Sequence, residues 1–221
     1  MKRMFDAVGA LTLLALSSPL FLVTALAVKM TSRGPVLFGH ARCGRGGRKF
    51  QCWKFRTMVE DAEDWLDRDP ALRAAHRSNG FKLPLHTDPR VTRLGRFLRF
   101  THLDELPQLL NVLRGDMSLV GPRPIVDEEL AWYGDRSADL LSVRPGVFGP
   151  WTAQGKRRTT YPERVQVELG YVENGTFLGD CRILLRHLPV LMSGQREDEK
   201  EEAVRPNQKK RKTSSRTARV A

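Results

Sequence analysis

A chain of 221 residues suits a single domain with room for an appended segment and is long enough to bury a core. Its three cysteines, Cys43, Cys52 and Cys181, have neither metal-ligand spacing nor an even count, which excludes a cysteine zinc site and a disulfide framework and leaves reduced structural thiols. The formal charge is +12, and residues 196–221 supply only part of it, with nine Lys/Arg against five Asp/Glu; the remainder is itself basic and implies a polyanionic partner, whether nucleic acid, anionic lipid or phosphorylated substrate.

The first element is Ala7–Val28, 22 residues without a charge, roughly 33 Å as a helix and enough to span a bilayer. Three readings compete. A cleaved signal peptide is favoured by Lys2, Arg3 and Ala25-Leu26-Ala27, and opposed by Asp6 and by the length of the run. A single span meets basic residues on both flanks, Lys2 and Arg3 before it and Lys29, Arg33, Arg42, Arg45, Arg48 and Lys49 after it, and both flanks then ask for the cytoplasmic side. A re-entrant hairpin removes that conflict. Pro19 cannot donate its N–H and its ring opposes the carbonyl of Ala15, so a break is expected at Ser18-Pro19, with Ser17 and Ser18 satisfying the freed backbone groups.

Thr31–Pro35 reads as a turn, followed by a strand over Val36–Phe38 and another over Phe50–Met58. Between them, Gly44-Arg45-Gly46-Gly47-Arg48 reads as a solvated hairpin turn rather than a phosphate cradle made of backbone amides. Val59–Ala75 is expected as one polar surface helix. From Arg90 onward, Arg90, Arg93, Arg96 and Arg99 recur every three residues beside Val91, Leu94, Phe97 and Leu98, giving a basic face next to an apolar one. That suits either a core-packed helix or one lying among lipid headgroups.

The centre of the chain runs from Thr101 to Pro124. Leu106, Leu109, Leu110 and Leu113 carry helical spacing, so Asp104–Leu113 is expected as a short helix with Pro107 in its first turn and Asp104 and Glu105 at its start. Acidic residues there can simply complement the helix dipole. The same pair beside an arginine-rich segment can also hold Mg²⁺, and one carboxylate can attack phosphorus. Gly115-Asp116 ends the helix, and Pro122-Arg123-Pro124 fixes an arginine between two rigid residues. Further on, a helix is expected over Glu128–Leu140, a turn at Arg144-Pro145-Gly146, and a capped helix start at Thr160-Tyr161-Pro162-Glu163. Cys181, Leu184, Leu185, Leu188 and Leu191 form a core-like stripe, which Pro189 can bend. Beyond Gln195 the chain lacks apolar periodicity and reads as a disordered basic tail.

The run from Asp104 to Pro124, together with Lys54-Phe55-Arg56-Thr57-Met58, Arg144-Pro145-Gly146 and the Tyr161 to Asn174 region, closely resembles the signature of the bacterial sugar transferases, monotopic polyprenyl-phosphate phosphoglycosyl transferases. Weaker similarity reaches Lys2-Arg3, Phe5-Asp6 and Ser18-Pro19, so about residues 2–194 are covered. The resemblance implies transfer of a sugar-1-phosphate from a UDP-sugar to undecaprenyl phosphate, with release of UMP, as the first membrane step of exopolysaccharide, capsule or O-antigen assembly. It implies Asp104 as nucleophile, Glu105 as Mg²⁺ ligand and Arg99, Arg123, Pro122, Pro124, Lys54 and Arg56 as substrate-binding positions. It also shifts the reading of residues 7–28 from a span to a re-entrant helix broken at Ser18-Pro19.

The fold expected is therefore α+β and mainly helical: a membrane anchor over 1–30, a compact cytoplasmic catalytic domain with a small β-hairpin and amphipathic interfacial helices over 31–195, and the tail over 196–221. The implied partners are the UDP-sugar, the polyprenyl phosphate, membrane lipid and downstream glycosyltransferases, with no nucleic acid and with homo-oligomerisation open. Where relatives commonly read Pro-Gly-Ile-Thr-Gly and then Trp-Gln-Val-x-Gly-Arg-Asn, this chain has Pro145-Gly146-Val147-Phe148-Gly149-Pro150-Trp151-Thr152-Ala153-Gln154-Gly155-Lys156-Arg157. That departure bears on the identity of the sugar more than on the reaction. The competing reading from the residues alone is a membrane-anchored basic protein that binds nucleic acid or acidic lipid, with salt-dependent affinity.

Overall fold

The structure, a computed structural model, describes residues 1–78, 83–151, 153 and 161–193. The expected tail, the capping residue Thr160 and most of the departing segment after Trp151 lie outside the described residues. What is described is mainly helical with two small sheets.

Helix α1, Lys2–Thr31, is one continuous helix with Pro19 inside it. The helix is not interrupted at Ser18-Pro19, where the break was expected. The Ser18 hydroxyl donates to the Ala15 carbonyl at 2.8 Å, the acceptor that residue 19 would otherwise serve, and Ser17 donates to Leu13 at 2.6 Å. The freed backbone acceptor is thus satisfied inside the helix, and the helical path carries on past the proline. By length and composition α1 can cross a membrane.

Burial along α1 is concentrated at its ends. Asp6, Ala10, Thr24 and Val28 are buried, while Leu11, Leu16, Leu22 and Val23 stand exposed. At the first end, Asp6 accepts from the Ser118 hydroxyl at 2.9 Å and the Leu119 amide at 3.0 Å. There too, Arg3 donates to the carbonyls of Val112 and Leu113 and Lys2 pairs with Asp180. At the other end Val28 packs with Phe55 and Leu98, the Phe21 and Phe55 rings lie 4.8 Å apart, and Arg56 donates to the Ser32 carbonyl at 2.7 Å. Both ends are held by one body, and among the described residues most of the apolar middle between them is exposed, with Leu14 packed against the core.

The expected hairpin is present. Strands β1, Leu37–Cys43, and β2, Lys49–Phe55, pair antiparallel with Leu37 opposite Phe55. The amides of their connecting turn are spent internally, Gly46 on the Leu141 carbonyl and Gly47 on that of Gly44. The turn therefore offers arginine side chains to solvent and no amide cradle. The single helix expected over 59–75 is two, α2 Ala62–Arg68 and α3 Pro70–Ser78, because Pro70 cannot continue the first but suits the start of the second. Helix α4 is Arg93–Phe100, capped by Thr92, whose hydroxyl accepts from the Gly95 amide at 2.9 Å. Arg90 precedes this helix and is buried in an ion pair with Asp88 at 2.9 Å, so it leaves the basic stripe expected of it. Leu98 faces the core while Phe97 and Phe100 are exposed beside Arg93 and Arg96.

A three-residue 3-10 turn over Leu103–Glu105 comes next, and then α5, Gln108–Arg114. The carboxylates thus sit on the turn that leads into the helix rather than on the helix itself, with buried Pro107 between them. Gly115 closes α5 at φ 89°, a left-handed conformation that favours glycine. Strand β3, Ser118–Val120, pairs in parallel with β4, Gly146–Phe148. β4 begins at Gly146, the last residue of the turn expected at Arg144-Pro145-Gly146. The helix expected over 128–140 is fragmented into α6, Asp127–Leu130, a 3-10 stretch broken at Gly134, and α7, Ser137–Leu140. Helices α8, Glu163–Asn174, and α9, Phe177–Ser193, complete the described chain. On α9 the expected core stripe is incomplete, since Leu185 is 66% exposed.

Candidate active site

Three elements converge on Asp104 and Glu105. Helix α5 is pinned to β2 by Asn111, wholly buried, whose Oδ1 accepts from the Trp53 amide at 3.0 Å and whose Nδ2 donates to the Gln51 carbonyl at 2.7 Å. This tie sets the register that brings Lys54 of β2 to the pair. Its ammonium donates to Glu105 Oε1 and lies 3.9 Å from Asp104 Oδ2. Helix α4 approaches closely because Gly95 has no Cβ; one built there would meet the Thr57 carbonyl oxygen at 2.0 Å. Arg99, one turn on, donates its Nε–H to the Thr57 hydroxyl at 2.9 Å and lies within electrostatic reach of Asp104.

The chain turns between α4 and the carboxylates at His102, which adopts φ 57°, ψ 12°. Left-handed backbone in a non-glycine residue costs about 1–2 kcal/mol. The surrounding packing sustains that cost directly next to the acidic pair.

The two carboxylates are held in different states. Burial pushes the Asp104 pKa up to about 6, with the Glu105 charge adding to it and Lys54 and Arg99 opposing it. Burial also acts on Glu105, but Lys54, Arg123 and the hydrogen bond from Lys54 outweigh it and hold its pKa well below the usual carboxylate range. Glu105 is thus a fixed anion beside a lysine, while Asp104 is a less solvated and more basic carboxylate.

Arg123 is exposed between buried Pro122 and half-buried Pro124, and its charge reaches Glu105. Its backbone amide donates to Glu168 Oε1 at 3.3 Å. Glu168 is wholly buried on α8 and also accepts from the Tyr133 hydroxyl and from Arg164 Nε, the latter at 2.9 Å. Sequence reasoning passed over Glu168, Thr57 and Asn111. The signal for Glu168 was an acid in the middle of the apolar face formed by Val165 and Leu169. Arg42 on β1 also went unassigned; it pairs with Glu129 at 3.5 Å, and burial, with Arg123 adding to it, lowers its pKa.

Of the candidate substrate positions, Lys54 and Arg99 stand at the pair and Arg123 faces it electrostatically. Arg56 is buried against Ser32 at the end of α1, and among the described residues its Nε and Nη1 have no hydrogen-bond partner. Among the described residues no cluster of three or more His, Cys, Asp or Glu forms a metal cage. Two adjacent carboxylates, one of them firmly ionised, still fit Mg²⁺, which is usually held by one or two carboxylates and completes its shell with substrate phosphates and water.

A family model described as bacterial sugar transferase matches residues 1–194. The undecaprenyl-phosphate galactose phosphotransferase of Salmonella typhimurium is 44% identical over 197 residues, covering 87% of this chain and 40% of that protein. The exopolysaccharide production protein ExoY of Rhizobium meliloti is 41% identical over 191 residues, covering 86% of this chain and 84% of that protein. The UDP-glucose:undecaprenyl-phosphate glucose-1-phosphate transferase of Caulobacter vibrioides is 41% identical over 200 residues, 87% of this chain and 70% of that protein. The chain therefore spans about two fifths of the Salmonella protein and most of ExoY.

Proposed function

The chain belongs to the bacterial sugar transferase family, and from that membership we propose that it transfers a sugar-1-phosphate from a UDP-sugar to undecaprenyl phosphate, releasing UMP. The observation that carries the reading is the acidic pair itself: a desolvated, basic Asp104 next to an ionised Glu105, faced by Lys54, Arg99 and Arg123.

In the first half-reaction an Asp104 oxygen attacks the β-phosphorus of the donor. The bond from that phosphorus to the bridging oxygen breaks, and UMP leaves with the electron pair. In the second, an oxygen of the polyprenyl phosphate attacks the same phosphorus and Asp104 departs as a carboxylate. Arg123, held at its backbone by Glu168, contacts the donor diphosphate, and Arg99 and Lys54 hold the transferred phosphoryl group. Glu105, with Asp104, would hold Mg²⁺, which neutralises phosphate charge.

The membrane reading is a re-entrant α1 with the catalytic body on the cytoplasmic face. A spanning helix would place its two ends on opposite sides of the bilayer. The contacts of Lys2, Arg3 and Asp6 at one end and of Val28 and Ser32 at the other, all with one body, support a helix that enters and returns.

The test is UMP release from a panel of UDP-sugars with undecaprenyl phosphate and Mg²⁺, which also identifies the sugar. The expected result is release from at least one donor, abolished in Asp104→Asn, and a phosphosugar adduct on Asp104 by mass spectrometry when acceptor is omitted. Full turnover by Asp104→Asn would sink the nucleophile assignment.

A further inference from the structure

Away from the carboxylates, two adjoining cavities of about 380 and 590 Å³ share Arg45 and Arg144 as lining residues. The smaller lies between the β1–β2 turn and the end of α5, and adds Arg48 and Asp116. The larger opens beside the first turn of α1 and the α8–α9 junction, and adds Lys2, Arg3 and Asp180. Of the acids in these walls Asp116 alone faces the arginines of the smaller cavity without a side-chain partner among the described residues, one charge against the three of Arg45, Arg48 and Arg144. Asp180 is taken by Lys2 and Tyr171, and Asp6 by Ser118 and Leu119. The cations are less committed. Arg144 spends its Nε–H on the Gly115 carbonyl at 2.8 Å, and among the described residues Arg45 and Arg48 have no side-chain hydrogen bond or ion pair. An electropositive recess with guanidinium donors to spare is left at one end of α5, and the seven residues of that helix put roughly 10 Å between it and the turn that carries Asp104.

Its rim has a second character. Met1 ahead of α1 and Phe177 at the start of α9 line the larger cavity and are 104% and 55% exposed, and Met4 and Val8 farther along α1 and Leu178 next to Phe177 are exposed as well. Phe5 and Phe177 join the two helices through an edge contact of 5.0 Å. A basic recess that opens among exposed apolar side chains, where the membrane helix meets the catalytic body, matches an amphiphile: a phosphate for the arginines and hydrocarbon for the rim. The combined volume suits a headgroup and its glycerol.

We infer that this recess binds the phosphate-bearing headgroup of an anionic membrane phospholipid, with Arg45, Arg48 and Arg144 as its donors, and that the bound lipid fixes the depth of the first turn of α1. The inference rests on the membrane placement proposed above. It concerns a site separate from the one that binds donor and acceptor.

The test uses the full chain in detergent micelles, with phosphatidylglycerol or phosphatidylcholine added and retained lipid counted by native mass spectrometry. One phosphatidylglycerol per chain is expected, with little phosphatidylcholine. Arg45→Gln/Arg48→Gln should lower that occupancy by roughly ten- to thirty-fold, whereas Arg33→Gln/Arg68→Gln, with the same loss of charge, should leave it unchanged. UMP release by Arg45→Gln/Arg48→Gln in phosphatidylcholine micelles should match the parent and so report an intact fold. Equal retention of the two lipids, or equal loss in both double variants, overturns the site. Occupation by inorganic phosphate that phosphatidylglycerol does not displace assigns the recess to a soluble phosphate and overturns the lipid. A parent chain that retains neither lipid and releases no UMP fails at the membrane-transferase reading instead.

Discussion

Asp104 is kept where a carboxylate is poorly solvated, and two consequences follow from one cause. In the nucleophilic role proposed for Asp104, its raised pKa removes the attacking form as pH falls through about 6, so turnover should drop on the acid side with a midpoint near that value, measured as UMP release across pH. For stability the sign is opposite. The folded state binds this proton more tightly than the unfolded chain, so the buried charge weakens the fold as pH rises from the ordinary aspartate range through the raised value. Asp104→Asn should therefore abolish turnover while raising the melting temperature at pH 7.5 by about 2–5 °C. A lower melting temperature would mean that the Lys54 and Arg99 charges outweigh the desolvation.

At the scale of elements, the site is an outcome of how α5 sits on β2. Asn111→Ala would leave the Trp53 amide and the Gln51 carbonyl without their partner in a part-buried place, at a cost of about 1–3 kcal/mol in thermal or denaturant unfolding, and would loosen Lys54 from Glu105. The acidic pair, the turn at Gly115 and the hairpin were legible because each depends on local chemistry: a run of leucines at helical spacing, a glycine needing left-handed backbone, two alternating strands around a Gly/Arg turn. What was not legible depends on partners far along the chain. Nothing near Gly146 announces a strand, since its pairing comes from Ser118 some thirty residues earlier. Arg90 looked like the first member of a helical arginine stripe, yet a carboxylate two residues upstream captured it in a buried pair. At Pro19 the helical hydrogen bonding is bridged by side chains, since the neighbouring serines bond to acceptors within the same helix.

For the whole molecule, the re-entrant placement proposed for α1 puts both ends of the helix in one compartment. A cysteine introduced near residue 2 and another near Arg33 should be labelled together by a reagent confined to the cytoplasmic side, and neither by one confined to the other side. Replacing Ser18-Pro19 with Ala-Ala should shift a fraction of chains toward a spanning state, visible as labelling of residue 2 from the far side. Labelling of the parent chain's residue 2 from the far side would refute the re-entrant reading.

The grip of the body on α1 also has a mechanical side. One end of the helix is fastened through Arg3 to the last carbonyls of α5, and the other through Ser32 to Arg56, two residues beyond Lys54. In the membrane placement proposed for α1, a load on the middle of the helix, from a thinner bilayer or tighter lipid packing, is delivered at one end to the element that follows Asp104 and Glu105 and at the other to the strand that carries their lysine. Acyl-chain length becomes a setting on the spacing of Lys54 and Glu105, and turnover measured across bilayers of graded thickness should trace an optimum rather than a plateau.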